Sequence, residues 1–371
     1  MTFRSKTNLS GLGWDEAWAS SFAATAGRGE VLEPGRVVVA HRDAWQVMTD
    51  GGHLVAGLAG RVRSSALGAS DMPAVGDWVA IEPRPTETMA TIAAVLPRRS
   101  ALRRAAGESG RRTGKDAQVL AANIDVVFVV AGLDHDLNFA RLERYLAVAW
   151  SSGALPVMLL NKADMDAHCD EHRDTVAAIA PGVDVLVISA RERLGLDEML
   201  QRLWPGSTAV VIGSSGVGKS TLLNALLDER RQETAAVREG DSRGRHTTVT
   251  RELVPLPGGA LLIDTPGLRS LPVVGAEDGL AEAFADVEAL SSGCRFSDCR
   301  HDSEPGCAVV AAVGVGLVAA DRLRRYHKLE REIAMVARRA DPIAAREERR
   351  RWASIGKSVT VQMRHKYGDD H

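Results

Sequence analysis

Eight residues in the middle of the chain have the spacing of a phosphate-binding loop. Residues 213–220 follow the pattern Gly-x4-Gly-Lys-Ser, in which glycines let the backbone wrap around phosphate groups. Lys219 is expected to neutralise the outer phosphates, and the Ser220 hydroxyl to bind Mg²⁺. A Gly-rich turn without chemistry is the alternative, but the strand-like run before the loop and the helix-like run after it favour phosphate binding. The residues predicted to contact the nucleotide here are Gly213, Ser214, Ser215, Gly216, Val217, Gly218, Lys219, Ser220 and Thr221.

A second motif predicts which base is bound. Residues 161–164 have the pattern Asn-Lys-x-Asp at the end of a short apolar run. Guanine presents two neighbouring donors, and the Asp164 carboxylate can accept from both, whereas adenine would leave polar groups unpaired. Lys162 would lay its stem along the base, Asn161 would brace the loops, and a backbone amide after a later apolar run can meet guanine O6. The residues predicted to contact guanine are therefore Asn161, Lys162, Asp164, Ser189 and Ala190.

Two further segments match the loops that surround Mg²⁺ and the γ-phosphate in GTPases. The polar segment 244–248 ends in Thr247 and Thr248, and one of these threonines is expected to reach Mg²⁺. Thr248 is our choice for the magnesium ligand beside Ser220, although the residues do not decide between the two threonines. Asp264 is expected to hold Mg²⁺ through water, and the Gly267 amide to meet the γ-phosphate.

The residue after this last motif bears on the rate of hydrolysis. Leu268 stands where a water-orienting glutamine would be expected, so intrinsic turnover should be slow. His246 is the nearest candidate to position the attacking water, and the alternative is that His246 only shapes its loop. The residues predicted to act catalytically are His246, Lys219 and Thr248.

A cluster near residue 300 has the composition of a metal site. Its pattern is Cys-x4-Cys-x-His-x5-Cys, and three thiolates with one imidazole complete the tetrahedral shell of a structural Zn²⁺. Free cysteines near a chance histidine are the alternative. The predicted zinc ligands are Cys294, Cys299, His301 and Cys307.

The amino-acid composition is that of an ordinary globular protein. The chain has 371 residues and a formal net charge of −2, so two or three domains and no global bias toward nucleic acid are expected. The first residues have no apolar segment of a signal peptide, and the apolar run 309–322 is too short to span a bilayer. We therefore expect a cytoplasmic protein that does not enter a membrane, in which clustered cysteines favour metal over disulfides.

The order of the elements is unusual for a nucleotide-binding domain. Continuous apolar runs predict five strands of a buried parallel sheet, at residues 124–131, 156–160, 183–188, 208–212 and 260–263. The guanine-binding segments come before the phosphate loop, the reverse of the order in Ras-like domains. A circular permutation that keeps the same sheet accounts for this order.

Short alternating strands precede this domain. Turn residues separate five of them, which suggests a small all-β barrel of the OB-fold type, with predicted strands Arg36–His41, Ala44–Thr49, His53–Ala59, Asp77–Pro83 and Met89–Leu96. Such a barrel could bind oligonucleotides, or it could serve packing or protein contact alone.

Two segments concentrate positive charge. The segment from Arg98 to Lys115 carries seven basic residues and three glycines, and it is expected to be a flexible loop that lies on phosphates or is merely solvated. The predicted helix from residue 319 to 340 and the tail after it carry many more basic residues, among them Arg324, Arg325, Lys328 and Arg338. This tail either faces RNA or is a solvated helix packed on the zinc module.

Taken together, the motifs resemble the ribosome small subunit-dependent GTPase A family (RsgA, also called YjeQ). The resemblance rests on segments 161–164, 213–220, 244–248 and 264–267 and on the cysteine cluster. It implies a circularly permuted α/β P-loop GTPase domain with an N-terminal OB-fold barrel and a C-terminal helical zinc-binding domain. We expect the boundaries to be 1–30 for an N-terminal extension, 31–110 for the barrel, 111–285 for the GTPase domain and 286–371 for the zinc domain with its basic tail.

The resemblance also implies a function. Members of this family act late in maturation of the 30S subunit and are stimulated by it, and the family histidine that matches His246 has been given the role of positioning water. We expect GTP, GDP, the 30S subunit and its 16S rRNA as partners, Mg²⁺ with GTP and one structural Zn²⁺ as cofactors, and a monomer. The alternatives are a nucleotide-gated module for another RNA or the 50S subunit, and a P-loop kinase or ATPase.

Overall fold

A computed structural model of the chain describes residues 8–25, 31–41, 43–65, 68–83, 89–104, 118–134, 137–227, 251–264 and 276–340. Within these residues, a small barrel, a central sheet and a C-terminal helical module follow one another along the chain. The three parts share strands and apolar contacts, so each is positioned by the others.

The N-terminal barrel has five strands, and these lie close to the strands predicted from the alternating pattern. They are β1 (Glu33–Ala40), β2 (Trp45–Thr49), β3 (Gly52–Leu58), β4 (Trp78–Glu82) and β5 (Ala90–Val95). The pairing order β1-β2-β3-β5-β4 returns to β1, which closes the barrel. Only β3 and β5 run parallel among these pairs. Side chains that alternate inward fill the interior, including Val37, Trp45, Val47, Val79 and Ile92, and the OB-type barrel is confirmed.

The central sheet carries the predicted permutation. Its strands are β8 (Val126–Gly132), β9 (Leu155–Asn161), β10 (Asp184–Val187), β11 (Thr208–Gly213), β12 (Arg251–Pro255) and β13 (Leu261–Asp264). The spatial order is β10-β9-β8-β11-β13-β12, with β12 antiparallel at the end and the others parallel. Strands β8 to β10 precede β11 in the chain yet lie beside it, so the guanine-binding and phosphate-binding segments reach the same edge of the sheet. The circularly permuted α/β architecture is confirmed.

Helices cover both faces of this sheet and build the C-terminal module. In chain order they are α1 (Glu16–Thr25), α2 (Gly60–Ser65), α3 (Phe139–Ser151), α4 (Cys169–Ile179), α5 (Leu196–Leu200), α6 (Lys219–Leu227), α7 (Glu277–Ala283), α8 (Ala285–Ser291), α9 (Ala308–Gly314) and α10 (Ala320–Ala340). Helices α5 and α6 pack on one face of the sheet. Helix α3 packs on the other face, where its apolar cluster continues into α7, α8, α9 and α10. None of the described helices combines the length and the apolar character needed to cross a membrane.

The barrel and the central sheet are joined directly. Strand β1 pairs antiparallel with β12, which makes one continuous sheet of eleven strands in the described residues. The buried guanidinium of Arg36 lies at this junction: it donates to the carbonyls of Leu12, Gly76 and Asn123 and to Thr208 Oγ1 at 2.7 Å. Burial lowers the pKa of Arg36 to about 10, and a guanidinium remains charged there at neutral pH.

The structure differs from the expected flexible loop after Arg98. Residues Ala101–Arg104 (β6) pair with Gln118–Ala122 (β7) as a short antiparallel hairpin. Arg98 donates to both oxygens of buried Asp77, at 2.8 and 2.7 Å, and Arg99 pairs with Asp15 at 2.7 Å. Arg98 therefore stabilises the fold through a buried carboxylate, whereas the Arg99–Asp15 pair is about half exposed and contributes little. Residues 105–117, with Arg111, Arg112 and Lys115, lie outside the described residues.

Candidate functional site

The phosphate loop leaves the end of β11 and enters α6 in a backbone conformation that requires glycine. Gly213, Gly216 and Gly218 have φ values of 148°, 88° and 94°, in the region that other residues rarely adopt. A Cβ at Gly218 would also overlap the Asn161 amide nitrogen. The side chains of Ser215, Ser220 and Thr221 are exposed, whereas Val217 is buried against the sheet. One side of the loop is therefore anchored and the other is open toward a ligand.

Lys219 lies over this loop. Its ammonium donates to the carbonyl of Gly213 at 2.8 Å and to the carbonyl of Ser214. Lys219 is also the first residue of α6, so a positive charge and the amide groups of the first helical turn lie together. This combination is suited to binding a di- or triphosphate.

Asn161 connects the guanine-binding segment to the phosphate loop. The side chain is 2% exposed; its Nδ2 donates to Val217 O at 2.8 Å, and its Oδ1 accepts from the Ala190 amide at 2.9 Å. Three segments that are far apart in the chain therefore meet at one amide group. The Ala190 amide, predicted to meet guanine O6, is engaged by Asn161 in this structure.

Asp164 is held at the same edge by Ser189. The Ser189 hydroxyl donates to Asp164 Oδ1 at 2.6 Å, and it accepts from the Glu192 amide at 3.1 Å. Asp164 is exposed. A carboxylate oriented by one hydrogen bond and open on its other side can accept the two donors of guanine.

Lys162 has a partner that the sequence did not indicate. It has a positive φ of 73°, and its ammonium pairs with Asp134, which follows β8. Asp134 comes just after the carboxyl end of a parallel strand, where ligand-binding residues of such sheets collect. That position is the signal that could have singled it out.

Arg141 was also missed. It lies in the first turn of α3 and donates from Nη1 to Ser214 Oγ in the phosphate loop at 2.7 Å. In sequence it is one of two arginines in an amphipathic helix, and nothing in its spacing distinguishes it.

Part of the predicted magnesium and γ-phosphate site can be located. Asp264 ends β13, which pairs with β11 in the register Val210↔Ile263, so Asp264 and the phosphate loop share one edge of the sheet. Gly244, His246, Thr247, Thr248, Gly267 and Leu268 lie outside the described residues, and their roles remain predictions.

The four predicted metal ligands lie together. Within the described part of the chain, their ligand atoms form the one group of its kind, all within 4.8 Å of one another. Cys294 Sγ is 3.8 Å from Cys307 Sγ, and His301 Nδ1 is 3.5 Å from each of these sulfurs. A tetrahedral Zn²⁺ with ordinary bond lengths separates sulfurs by about 3.8 Å and sulfur from nitrogen by about 3.5 Å. The residues therefore fit one such ion.

Hydrogen bonds between the Glu304 side chain and nearby backbone amides hold the loop around the metal ligands. The Glu304 carboxylate accepts from the amides of Arg300, Asp302 and Ser303 at 3.0, 3.0 and 3.1 Å. These hydrogen bonds, led by the one from Arg300, lower the pKa of Glu304 to about 2. His301 has a positive φ of 58°, so the loop turns the imidazole inward. Cys169, by contrast, begins α4 and contacts Asp166 O at 2.8 Å, far from this group in sequence.

The basic C-terminal helix is partly buried. In α10, Leu329 and Ile333 lie in the core, as its apolar stripe predicts. Arg325, which the sequence placed among RNA-facing residues, instead donates to Glu143 of α3 at 2.7 Å. The residues after 340 lie outside the described residues, so an RNA-facing tail remains a prediction.

Comparisons with known proteins identify relatives over nearly the whole chain. A family model described as RsgA GTPase matches residues 95–274. The chain is 45% identical over 358 residues to "Small ribosomal subunit biogenesis GTPase RsgA" of Opitutus terrae, covering 94% of this chain and 95% of that protein. It is 43% identical over 360 residues to the protein of the same name from Streptomyces coelicolor, covering 95% of this chain and 94% of that protein.

Solved structures agree. The structure of YjeQ from Thermotoga maritima is similar with a TM-score of 0.61 and 26% identity, covering 82% of this chain and 99% of that one. The structure of YloQ, described as a circularly permuted GTPase, has a TM-score of 0.58 at 24% identity, covering 83% and 98%, and supports the fold.

Proposed function

We propose that this chain, a GTP hydrolase that belongs to the RsgA GTPase family, acts in late maturation of the small (30S) ribosomal subunit. The observation that carries the GTP-binding part of the proposal is the pair of hydrogen bonds at Asn161, which join the predicted guanine-binding segment to the phosphate loop. Relatives that share more than 40% of their residues with this chain are named for small-subunit biogenesis.

Nucleotide binding follows from the positions of these groups. Asp164 would accept the two guanine donors, Lys162 would line the base, and a backbone amide at Ser189 or Ala190 would meet O6. Lys219 and the amides of residues 214–221 would bind the phosphates. Ser220, with Asp264 through water and Thr248, would hold Mg²⁺, which supplies neutralising charge between the phosphate oxygens when bound.

Hydrolysis would depend on residues that follow the phosphate loop in the chain. Leu268 cannot hydrogen-bond an attacking water, so His246 is the proposed group that orients it, with Thr247 or Thr248 and the Gly267 amide closing over the γ-phosphate. Slow turnover in isolation, accelerated by the small subunit, is the expected behaviour.

The metal group has a structural role in this proposal. Cys294, Cys299, His301 and Cys307 would hold one Zn²⁺, and four protein ligands leave no open position for substrate. The ion would fix the loop from which α9 and α10 extend. We further propose that the barrel and the basic C-terminal tail contact 16S rRNA, and that the protein works in the cytoplasm as a monomer.

The test is GTP hydrolysis by the purified full chain with and without 30S subunits. Stimulation of about tenfold or more is expected with 30S subunits, and it should fall steeply between low and moderate salt because phosphate contacts release counterions. A matched reaction with 50S subunits is the control. Equal rates in all three reactions would refute the proposed partner while leaving GTP hydrolysis itself intact.

A further inference from the structure

Helix α3 lies between the phosphate loop and the C-terminal module, defined here as residues 276–340. On one side, Arg141 Nη1 donates to Ser214 Oγ at 2.7 Å. On the other side, the Glu143 carboxylate accepts from Arg322 Nη1 at 2.8 Å and from Arg325 Nε at 2.7 Å. Successive helix residues are about 100° apart, so residues 141 and 143 project from nearly opposite faces. One short helix therefore contacts both parts through charged side chains.

The contact with the C-terminal module is buried and specific. Glu143 is 1% exposed and Arg322 is 4% exposed. Arg322 also donates to both oxygens of Asp286 at 2.7 and 2.6 Å, and its guanidinium lies 4.5 Å from the ring centroid of Phe284. Because a buried charge that loses its partner is strongly unfavourable, α3 must follow α10 if that helix moves.

The chain of contacts reaches the metal ligands. The Phe284 ring packs edge-on against Tyr326 of α10 at 5.4 Å, and the Tyr326 ring lies 6.4 Å from that of His301. A second ion pair, Arg144–Glu332 at 2.5 Å, ties α3 to α10 about two turns after Arg325 along α10. Packed rings and paired charges therefore link the metal cluster to Glu143 of α3, and the backbone of α3 joins Glu143 to Arg141 and the phosphate loop.

We propose that Arg141 is a positioning residue for nucleotide binding, and that α3 transmits the position of the C-terminal module to the phosphate loop through the Arg141–Ser214 hydrogen bond. Ser214 lies in the loop whose amides bind phosphate, so a shift of Arg141 changes the loop that the nucleotide must fit. The inference concerns nucleotide affinity of the isolated chain. It therefore depends on GTP binding but not on the ribosomal partner.

A double-mutant cycle on the full chain tests this route. The dissociation constant of a fluorescent GDP analogue is measured for the wild type, Arg141→Ala, Arg325→Gln and the double variant, together with kcat and KM for GTP. Arg141→Ala is expected to weaken affinity about 5- to 20-fold, raising KM more than it lowers kcat. Arg325→Gln perturbs the ion pair with Glu143 from its more exposed end. It is expected to weaken affinity about threefold in the wild type and to have no further effect in the Arg141→Ala protein.

Two further variants protect the test against a general loss of structure. Ser214→Ala removes only the acceptor hydroxyl and should reproduce the Arg141→Ala affinity at an unchanged melting temperature. Arg141→Lys should restore part of the wild-type affinity. Arg202→Ala is the matched control, because it breaks an ion pair with Asp184 in the same domain and touches neither α3 nor the loop. Unchanged affinity in both Arg141→Ala and Ser214→Ala, or additive effects of Arg141→Ala and Arg325→Gln, would overturn the proposal.

Discussion

Asn161 and Gly218 are in such close contact that the identity of each depends on the other. The Asn161 amide donates to Val217 O, one residue before Gly218, and a Cβ at 218 would occupy the space of its nitrogen. The φ of 94° at Gly218 adds a second requirement for glycine. The phosphate loop and the guanine-binding segment can therefore meet only with these two residue types.

Gly218→Ala is expected to impair nucleotide binding. Adopting the positive φ costs about 1–3 kcal/mol, and displacement of Asn161 adds to it, so GDP affinity should fall about 10- to 100-fold or more. Fluorescent GDP titration measures the effect. Gly182→Ala is the control, since Gly182 has a φ of 76° with no atom within 4 Å of a Cβ built there, and its affinity should stay within twofold of wild type. Wild-type affinity in Gly218→Ala would contradict the geometry.

Asp164→Asn tests guanine selection. An amide cannot accept from both guanine donors, so GTP affinity should fall about 100-fold or more, and affinity for xanthosine triphosphate should rise, because xanthine replaces the amine with an oxygen. Competition binding with the two nucleotides measures the exchange. Asp166→Asn, two residues away and hydrogen-bonded to His172, should leave the preference for GTP unchanged. If Asp164→Asn keeps full GTP preference, the base is not bound at Asp164.

At the scale of elements, α3, α8 and α10 pack through apolar side chains, and ion pairs of Arg322 with Glu143 and Asp286 join them. Burial raises the pKa of Asp286, but the hydrogen bonds from Arg322 outweigh burial and leave the pKa below its ordinary value. Such a carboxylate binds protons more readily in the unfolded chain than in the folded one. Its contribution to stability is therefore present above the unfolded pKa of 3.8 and is lost as the pH falls through the folded value.

Asp286→Asn should accordingly make the melting temperature less dependent on pH in the acidic range. Between pH 6 and pH 2.5 the wild-type melting temperature should fall further than that of the variant, because Asp286 loses its contribution only below pH 3.8; at pH 6 the variant is the less stable protein. Thermal unfolding followed by circular dichroism at both pH values measures this difference. Asp184→Asn, which removes a half-exposed carboxylate from a surface pair, should retain the wild-type slope. If the melting temperatures of the wild type and of Asp286→Asn fall equally, folding does not lower the pKa of Asp286.

At the scale of the whole molecule, the three parts are joined by strand pairing and by shared apolar contacts. Strand β1 of the barrel extends the central sheet at β12, and Arg36 bonds to four segments at once. The C-terminal module shares one apolar cluster with α3 and the sheet, including Phe284, Val309, Leu329 and Ile333. A disturbance of the metal cluster should therefore reach the stability of the entire chain.

Removal of the metal is expected to lower the melting temperature of the full chain by several degrees or more, because structural zinc binding contributes directly to folding. Elemental analysis should find one zinc per chain before treatment with a chelator. Cys307→Ser should behave like the chelated protein, whereas Cys169→Ser, outside the cluster, should retain both zinc and the wild-type melting temperature. Unchanged melting of metal-free protein would show that the cluster is not structural.

The amino-acid sequence by itself determined the features encoded by spacing within short segments. The phosphate loop, the guanine motif and the Cys3His group each lie within fourteen residues or fewer, so local backbone geometry alone brings their atoms together. Their order along the chain was enough to infer the permutation, since parallel strands place all their carboxyl ends at one edge. Period-two alternation likewise indicated the five strands of the barrel.

Only the tertiary structure decided which charges serve the fold and which face solvent. Arg98, Arg141 and Arg325 look alike in sequence, yet their partners are Asp77, Ser214 and Glu143, at separations of 21, 73 and 182 residues. A long basic side chain satisfies its charge in water or against a carboxylate with little effect on local pattern, so the partner becomes visible only when the strands and helices are assembled. The hairpin β6–β7, the antiparallel strand β12 and the link through α3 were also absent from the sequence-based prediction.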